Sequence, residues 1–281
     1  MLLAAEDQYR RGVAFRELHT GPGAFVIPNP WDAGTAKLLT GLDYHALATT
    51  SAGLAFALGR ADGANLVDRD ETLANARAIV GATHLPVAAD LESGFGPTPA
   101  DVATTIRLAA EAGLVGGSVE DATGEGDRPV HDFKEAVERV AAAVEAARGL
   151  DFPFTVTARA ENFLYGRPDL DDTIRRLQAF EEAGADVLYA PGLPDAAAIR
   201  AVCESVGRPV NVLAGGAGPR LSVAELSDLG VRRISLGSAF PRAALATVLR
   251  AAREIQQDGT FGFAADALPY AEANRLMRRT T

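Results

Sequence analysis

The sequence predicts an α/β protein built as a (β/α)8, TIM-type barrel. Eight short apolar runs are separated by helical patterns, and no compositional break divides the 281 residues. The runs cover residues 25–30, 45–51, 86–92, 116–121, 154–161, 187–192, 210–215 and 233–238. They are nearly continuous in apolar residues rather than alternating, as parallel strands covered on both faces require.

The elements follow in order. Residues 1–22 are expected to form a helix ahead of the barrel. Segments 71–83, 99–113, 132–149, 171–184 and 222–230 carry apolar residues at three- and four-residue spacing and predict helices. Thr98-Pro99 and Asp169 or Asp171 stand at helix starts, and Gly113, Gly149, Gly184 and Gly230 at helix ends. Strand–helix alternation implies parallel pairing through right-handed crossovers. An open doubly wound sheet is the alternative, and the lack of a GxGxxG after the first strand opposes it. A glycine-rich break at DGTFGF precedes a helical tail at 264–281, so one domain over 1–281 is expected. A helix detached from the barrel suits packing on a neighbouring subunit, as in a homodimer or homotetramer.

Composition narrows the function classes. Twenty-seven basic and 37 acidic residues give a formal net charge of −10, which argues against nucleic-acid or anionic-membrane surfaces. Cys203 is the sole cysteine, so no intramolecular disulfide is possible, and its amphipathic setting predicts a packed thiol. No basic-then-apolar leader and no run long enough to span a bilayer is present, so a cytoplasmic location is the expectation.

Barrel chemistry collects at strand C-termini and the loops after them. There the chain places Asn29, Trp31 and Asp32; Thr49, Thr50, Ser51 and Gly53; Asp62; Asp90 and Glu92; Glu120 and Asp121; and Arg159 and Glu161, with Asn211 inside the seventh strand. Asp90 and Glu92 are two apart, so on a continuing strand both face the interior. Inward carboxylates repel unless a cation or proton intervenes, and oxygen-only ligands favour Mg²⁺ or Mn²⁺. Asp90, Glu92 and Glu120 are therefore the candidate metal ligands. Arg159 is placed to fork onto a substrate carboxylate, or else to pair with Glu120 or Glu161. Trp31 and Asp32 read equally as a packing aromatic and a helix cap. Leu54 and Asn211 are expected to help shape the pocket.

The motifs NPWDAGTAKLL, TTSAGLAFALGRADG, ADLESGFG, GGSVED and TARAENFLYGRPDLDDTIRRLQAFEEAGAD occur in this order. In them the chain resembles the isocitrate lyase/phosphoenolpyruvate mutase superfamily over about residues 25–250. The resemblance implies a Mg²⁺-dependent barrel acting on a small 2-oxo or related acid through an enolate-like state. It makes Asp90 the direct metal ligand, gives metal-bound waters to Glu92 and Glu120, and makes Asp62 a more distant support or a proton-transfer group. It also makes Trp31 a pocket wall, and assigns substrate oxygens to Ser51, Gly53 and nearby backbone N–H groups and a substrate carboxylate to Arg159. It further implies a C-terminal helix exchanged between subunits.

The departure lies after strand 4. The lyase branch carries a Lys-[KR]-Cys-Gly-His run there, whereas this chain reads DATGEGDRPVHDF, with His131 expected at the surface or at a helix start. Gly124 and Gly126 suit a mobile lid. Decarboxylation of an oxaloacetate-like acid or lysis of a simple 2-hydroxy acid asks least of such a loop. Phosphoenolpyruvate mutase or phosphonopyruvate hydrolase chemistry is an alternative. Another is a phosphate-binding isomerase or synthase using LAGGAGPR (213–220) and SLGSAF (235–240). A third is a non-catalytic binding barrel.

Overall fold

Eight parallel strands, each hydrogen-bonded to its neighbours in the order β1-β8-β7-β6-β5-β4-β3-β2, curl into a nearly closed barrel. The structure, a computed structural model, describes residues 4–216 and 218–278. The strands are β1 (Phe25–Ile27), β2 (Leu47–Ala48), β3 (Val87–Asp90), β4 (Gly116–Glu120), β5 (Thr155–Arg159), β6 (Val187–Tyr189), β7 (Val210–Leu213) and β8 (Arg233–Ser235). All eight expected strands occur, each shorter than its apolar run, because the run continues into the loop at the C-terminal rim.

Among the described residues no ladder joins β1 to β2. That seam is bridged instead by the Ala48 N–H, which donates to the Pro28 carbonyl at 3.1 Å, and by the Asn29 side chain. The Asn29 amide donates to the Thr49 carbonyl at 2.9 Å. Its oxygen accepts from the N–H groups of Leu236 and Gly237, at 2.8 and 3.0 Å. One buried side chain thus ties the ends of β1, β2 and β8 together.

Around the strands lie α1 (Ala5–Leu18), α2 (Ala33–Thr40), α3 (Ser51–Ala57), α4 (Arg69–Val80), α5 (Pro99–Glu111), α6 (Phe133–Arg148), α7 (Leu170–Glu182), α8 (Ala196–Ser205), α9 (Val223–Asp228) and α10 (Ala239–Asp258). A 3-10 turn at Gly262–Asp266 then leads to α11 (Tyr270–Arg278). Asp32, Asp68, Thr98 and Ser222 each close a capping box at a helix start. Asp32 is therefore a cap, and Thr98 with Pro99 starts α5 as expected. The core between strands and helices is aliphatic and alanine-rich, with Phe154, Leu177, Phe180 and Ile106 fully buried. Aliphatic burial of this extent, at about 25 cal/mol per Å², is the main force closing the barrel.

The expected terminal segments reach residues 1–3 and 279–281, and the glycine-rich stretch at 213–220 includes Ala217; these positions lie outside the described residues. On α10 only Pro241 is buried, while Leu245, Val248, Leu249 and Ile255 are exposed. Among the described residues no helix is long and apolar enough to cross a membrane.

Candidate active site

A cavity of about 190 Å³ opens at the C-terminal rim and runs down into the barrel. Its wall is polar for a barrel interior, since Thr49, Ser51, Ser118, Thr157, Asn211 and Ser235 all face it, together with Asp62, Asp90, Arg159 and Arg233. Strand register explains this. Asp90 pairs with Ser118 and Ser118 with Thr157, so these inward positions form one layer, with Glu120 and Arg159 in the layer above.

Arg159 organises the site. Its Nη1 lies 2.9 Å from Asp90 Oδ1 and 3.1 Å from Glu120 Oε2, and its Nε donates to Glu161 Oε1 at 2.7 Å. The guanidinium also stacks 5.0 Å from the Tyr189 ring centre. Burial alone would weaken its charge, but Glu120, Glu161 and Asp90 hold it firmly protonated. Nε and Nη1 of the expected fork are therefore already engaged by the protein's own acids, and Nη2 has no acid partner among the described residues. The ion-pairing alternative is the observed one.

Asp90 is held on its other side by Ser51, whose hydroxyl donates to Oδ2 at 2.8 Å and whose N–H approaches it at 3.3 Å. Ser51 opens α3, with Thr50 as its N-cap, instead of ending a strand. Gly53 is inside that helix and its N–H donates to Thr50 Oγ1 at 3.2 Å, so it is not available to a substrate oxygen. Leu54 is buried against Ala55 and Val67, away from the cavity. Trp31 also lies off the cavity wall: its N–H approaches Thr35 Oγ1 and its carbonyl accepts from Asn75.

The expectation that Asp90 and Glu92 share a face fails because β3 stops at Asp90. Glu92 has φ +48°, Gly94 φ +94° and Phe95 φ +55°, so the chain turns sharply and strand alternation no longer applies. Glu92 faces a neighbouring groove with Asn65, Thr123, Arg128 and His131. The loop is held from below by Arg139 of α6, only 1% exposed, which donates to the carbonyls of Ser93, Gly96 and Pro97 at 2.6, 2.9 and 3.0 Å.

The electrostatics show crowding of negative charge. Asp62, Asp90, Glu92, Glu120 and Glu161 surround one cation, Arg159. Burial, reinforced by Asp90 and Asp62, pushes the Glu92 carboxyl up to about 7. Burial, with Asp121 and Asp90 adding to it, pushes Glu161 to about 7. Glu120 is raised well above its ordinary value, chiefly by burial. Asp62, at the rim, is raised by partial desolvation and by Asp90. Among the described residues no group of three His, Cys, Asp or Glu is arranged as a ready cation cage, because Arg159 stands between Asp90 and Glu120 and Glu92 turns away. The donor set is nonetheless oxygen-only, and with its carboxyls ionised it carries more negative charge than one arginine balances. In charge and chemistry it fits a hard dication.

The loop after β4 is anchored at both ends. Ala122 and Val130 form an antiparallel bridge, and Arg176 clamps Asp121 at 2.8 Å. His131 is buried, not at the surface, with Nδ1 2.9 Å from Glu135. Cys203 lies on α8, outside the cavity, its thiol pushed up to about 11 by burial. The phosphate-binding alternative loses two of its donors, since Asn29 occupies the N–H groups of Leu236 and Gly237, and Gly216 and Gly218 line a separate pocket. The sequence reading overlooked Ser118, Thr157, Arg233 and Ser235 as cavity residues. Their available signal was a polar side chain at an inward position of an otherwise apolar strand.

A family model described as phosphoenolpyruvate phosphomutase matches residues 15–256. The crystal structure of a candidate lyase/mutase from Burkholderia cenocepacia J2315 is 58% identical, with 98% of each chain covered and a TM-score of 0.95. The 2-methylisocitrate lyase of Escherichia coli K12 is 30% identical over 89% of this chain and 86% of its own. Phosphonopyruvate hydrolase, crystallised with oxalate and Mg²⁺, is 26% identical, with 95% and 94% of the two chains covered and a TM-score of 0.84. The chain belongs to the phosphoenolpyruvate phosphomutase family, within the isocitrate lyase/phosphoenolpyruvate mutase superfamily.

Proposed function

We propose that this chain is a Mg²⁺- or Mn²⁺-dependent enzyme that cleaves a C–C bond of, or decarboxylates, a small 2-oxo or 2-hydroxy carboxylic acid through an enolate-like state. The observation that carries the reading is the set of three carboxylates, Asp90, Glu120 and Glu161, in contact with Arg159 beside a small cavity that Asp62 and Asp90 line, with Glu92 near enough to feel the charges of Asp90 and Asp62. Relatives support it: a lyase of a branched tricarboxylate shares 30% of its residues, and a hydrolase with the same fold was crystallised with oxalate and Mg²⁺.

Asp90, Glu92 and Glu120 are the residues that would hold the cation, which when bound supplies Lewis-acid polarisation of a substrate oxygen. Arg159 fixes the positions of Asp90 and Glu120 through its 2.9 and 3.1 Å contacts. Ser51 orients the other Asp90 oxygen. Asp62, its carboxyl raised above the ordinary value by desolvation and by Asp90, is the group at the rim placed to release or accept a proton. Ser118 and Thr157 offer hydroxyls to substrate oxygens along the wall. The lid from Asp121 to Phe133 has no cysteine, so a reaction that requires none of the lyase-branch acid/base chemistry suits it best. An oxaloacetate-like acid is the first substrate to try. Homo-oligomers are part of the proposal, because α10 exposes Leu245, Val248, Leu249 and Ile255 along one helix.

The test is an NMR-monitored screen of oxaloacetate, 2-methylisocitrate, phosphonopyruvate and substituted malates, with Mg²⁺ and with chelator. Turnover of one 2-oxo or 2-hydroxy acid that needs the metal and vanishes in Asp90→Ala supports the reading. Metal-independent turnover, or none on any of these acids, sinks it.

A further inference from the structure

Below the acid cluster the cavity floor holds a second arginine in a different electrostatic setting. Arg233 of β8 is 6% exposed and lines the cavity. Its Nε donates to Asn211 Oδ1 at 2.9 Å and its Nη2 to Thr157 Oγ1 at 3.0 Å. Its Nη1 lies 3.3 Å from His19 Nε2. His19 Nδ1 is 2.8 Å from the Phe15 carbonyl, an acceptor only, so Nδ1 carries the ring proton and Nε2 accepts from Arg233. Burial, and then the Arg233 charge, push this ring down to about 3, so it is neutral at physiological pH.

All three partners of Arg233 are therefore uncharged, and among the described residues no carboxylate pairs with it. Buried arginines are ordinarily paired. Arg159 meets that rule three times over, while Arg233 departs from it. A guanidinium has five N–H donors, and the three bonds use one on each nitrogen, leaving one on Nη1 and one on Nη2 unspent in a residue that lines the cavity. An incoming carboxylate near Arg159 would meet Asp90, Glu120 and Glu161, whereas near Arg233 it would meet unbalanced positive charge.

We propose that the Arg233 end of the cavity is an anion subsite that takes one carboxylate of a small dicarboxylic acid, the other end of which reaches the acid cluster. Asn211, Thr157 and Ser235 complete the subsite with amide and hydroxyl groups. The volume of about 190 Å³ admits a small acid and no large substituent. This deepens the proposed function and rests on it for the identity of the reacting end.

The experiment is calorimetric titration of the wild-type chain with malonate at saturating Mg²⁺, which offsets the acids facing the second carboxylate, with acetate as the single-carboxylate control. Malonate is expected to bind more tightly than acetate, with its affinity falling roughly 10- to 100-fold in Arg233→Gln and being largely kept in Arg233→Lys. Equal malonate affinity in wild type and Arg233→Gln, or no preference for malonate over acetate, overturns the inference. Should Arg233→Gln not fold, a bromide-soaked crystal of the wild-type protein decides: bromide beside the Arg233 guanidinium supports the subsite, and bromide found only elsewhere overturns it. Because binding is read without turnover, malonate binding in a chain that turns over no acid fails the enzymatic reading alone. Turnover with Arg233-independent malonate affinity fails this one alone.

Discussion

Replacing Arg139 by Met removes the cation that holds the 93–97 turn and leaves most of the side-chain volume in place. Three charge-assisted bonds to carbonyls are lost, each nominally worth about 1.5–3 kcal/mol. Water recovers part of that, since Ser93 and Gly96 are only half-buried and Pro97 is exposed. A net loss of about 3 kcal/mol is therefore expected, well within the roughly 5–15 kcal/mol that a folded chain possesses. The turn above it is also strained, with Glu92 and Phe95 in the left-handed region, and is free to relax once released. The assay is urea unfolding combined with amide hydrogen exchange. The midpoint should fall by about 1–2 M, and protection should drop first at residues 92–97. Arg139→Lys, a single ammonium that cannot span three acceptors, should fall between the two. A Met variant within about 0.5 kcal/mol of wild type, with unchanged exchange at the turn, would refute the reasoning.

Three further outcomes are expected. Asp90→Asn should lower turnover about 100-fold or more at saturating Mg²⁺, measured by steady-state kinetics, because Ser51 and Arg159 both lose their ionic partner. Glu92→Gln should stabilise the metal-free chain over a defined pH window. The folded carboxyl titrates near 7 against an ordinary 4.5, so the folded state binds this proton more tightly and wild type loses stability as pH rises between those values. The melting curves of the two proteins should coincide below that window and diverge above it by up to about 3 kcal/mol. Gly53→Ala should destabilise by about 1–3 kcal/mol in thermal unfolding, because a Cβ would lie 2.5 Å from Thr50 Cγ2 and 2.9 Å from Trp31 Cβ.

The barrel was legible because its evidence is periodic and repeated. Runs such as VNVL and the capped helices between them admit few other topologies, and the register then brings Asp90, Arg159 and Asn211 to one cavity. What failed was inference across strand ends. Asp90 and Glu92 read as one face only while the strand continues, and the left-handed turn at Glu92 breaks the alternation. Ser51 and Gly53 read as a strand end because TTS is β-prone, yet Thr50 caps a helix there. Charge pairing was half-visible: an arginine amid acids could serve a ligand or its neighbours, and only geometry shows three acids already on Arg159. Arg233 was passed over because it follows Arg232 at the first position of its run, where an arginine reads as solvated.

The bridge between the first and second strands carries a consequence for motion. A wall of eight staves has seven joints glued along their length and one held by a lone backbone bond and the amide of Asn29, which borders the cavity. Thermal breathing of the cylinder should therefore concentrate at this joint, where every widening enlarges the reaction chamber itself. The ring's most yielding point and its chemical mouth coincide.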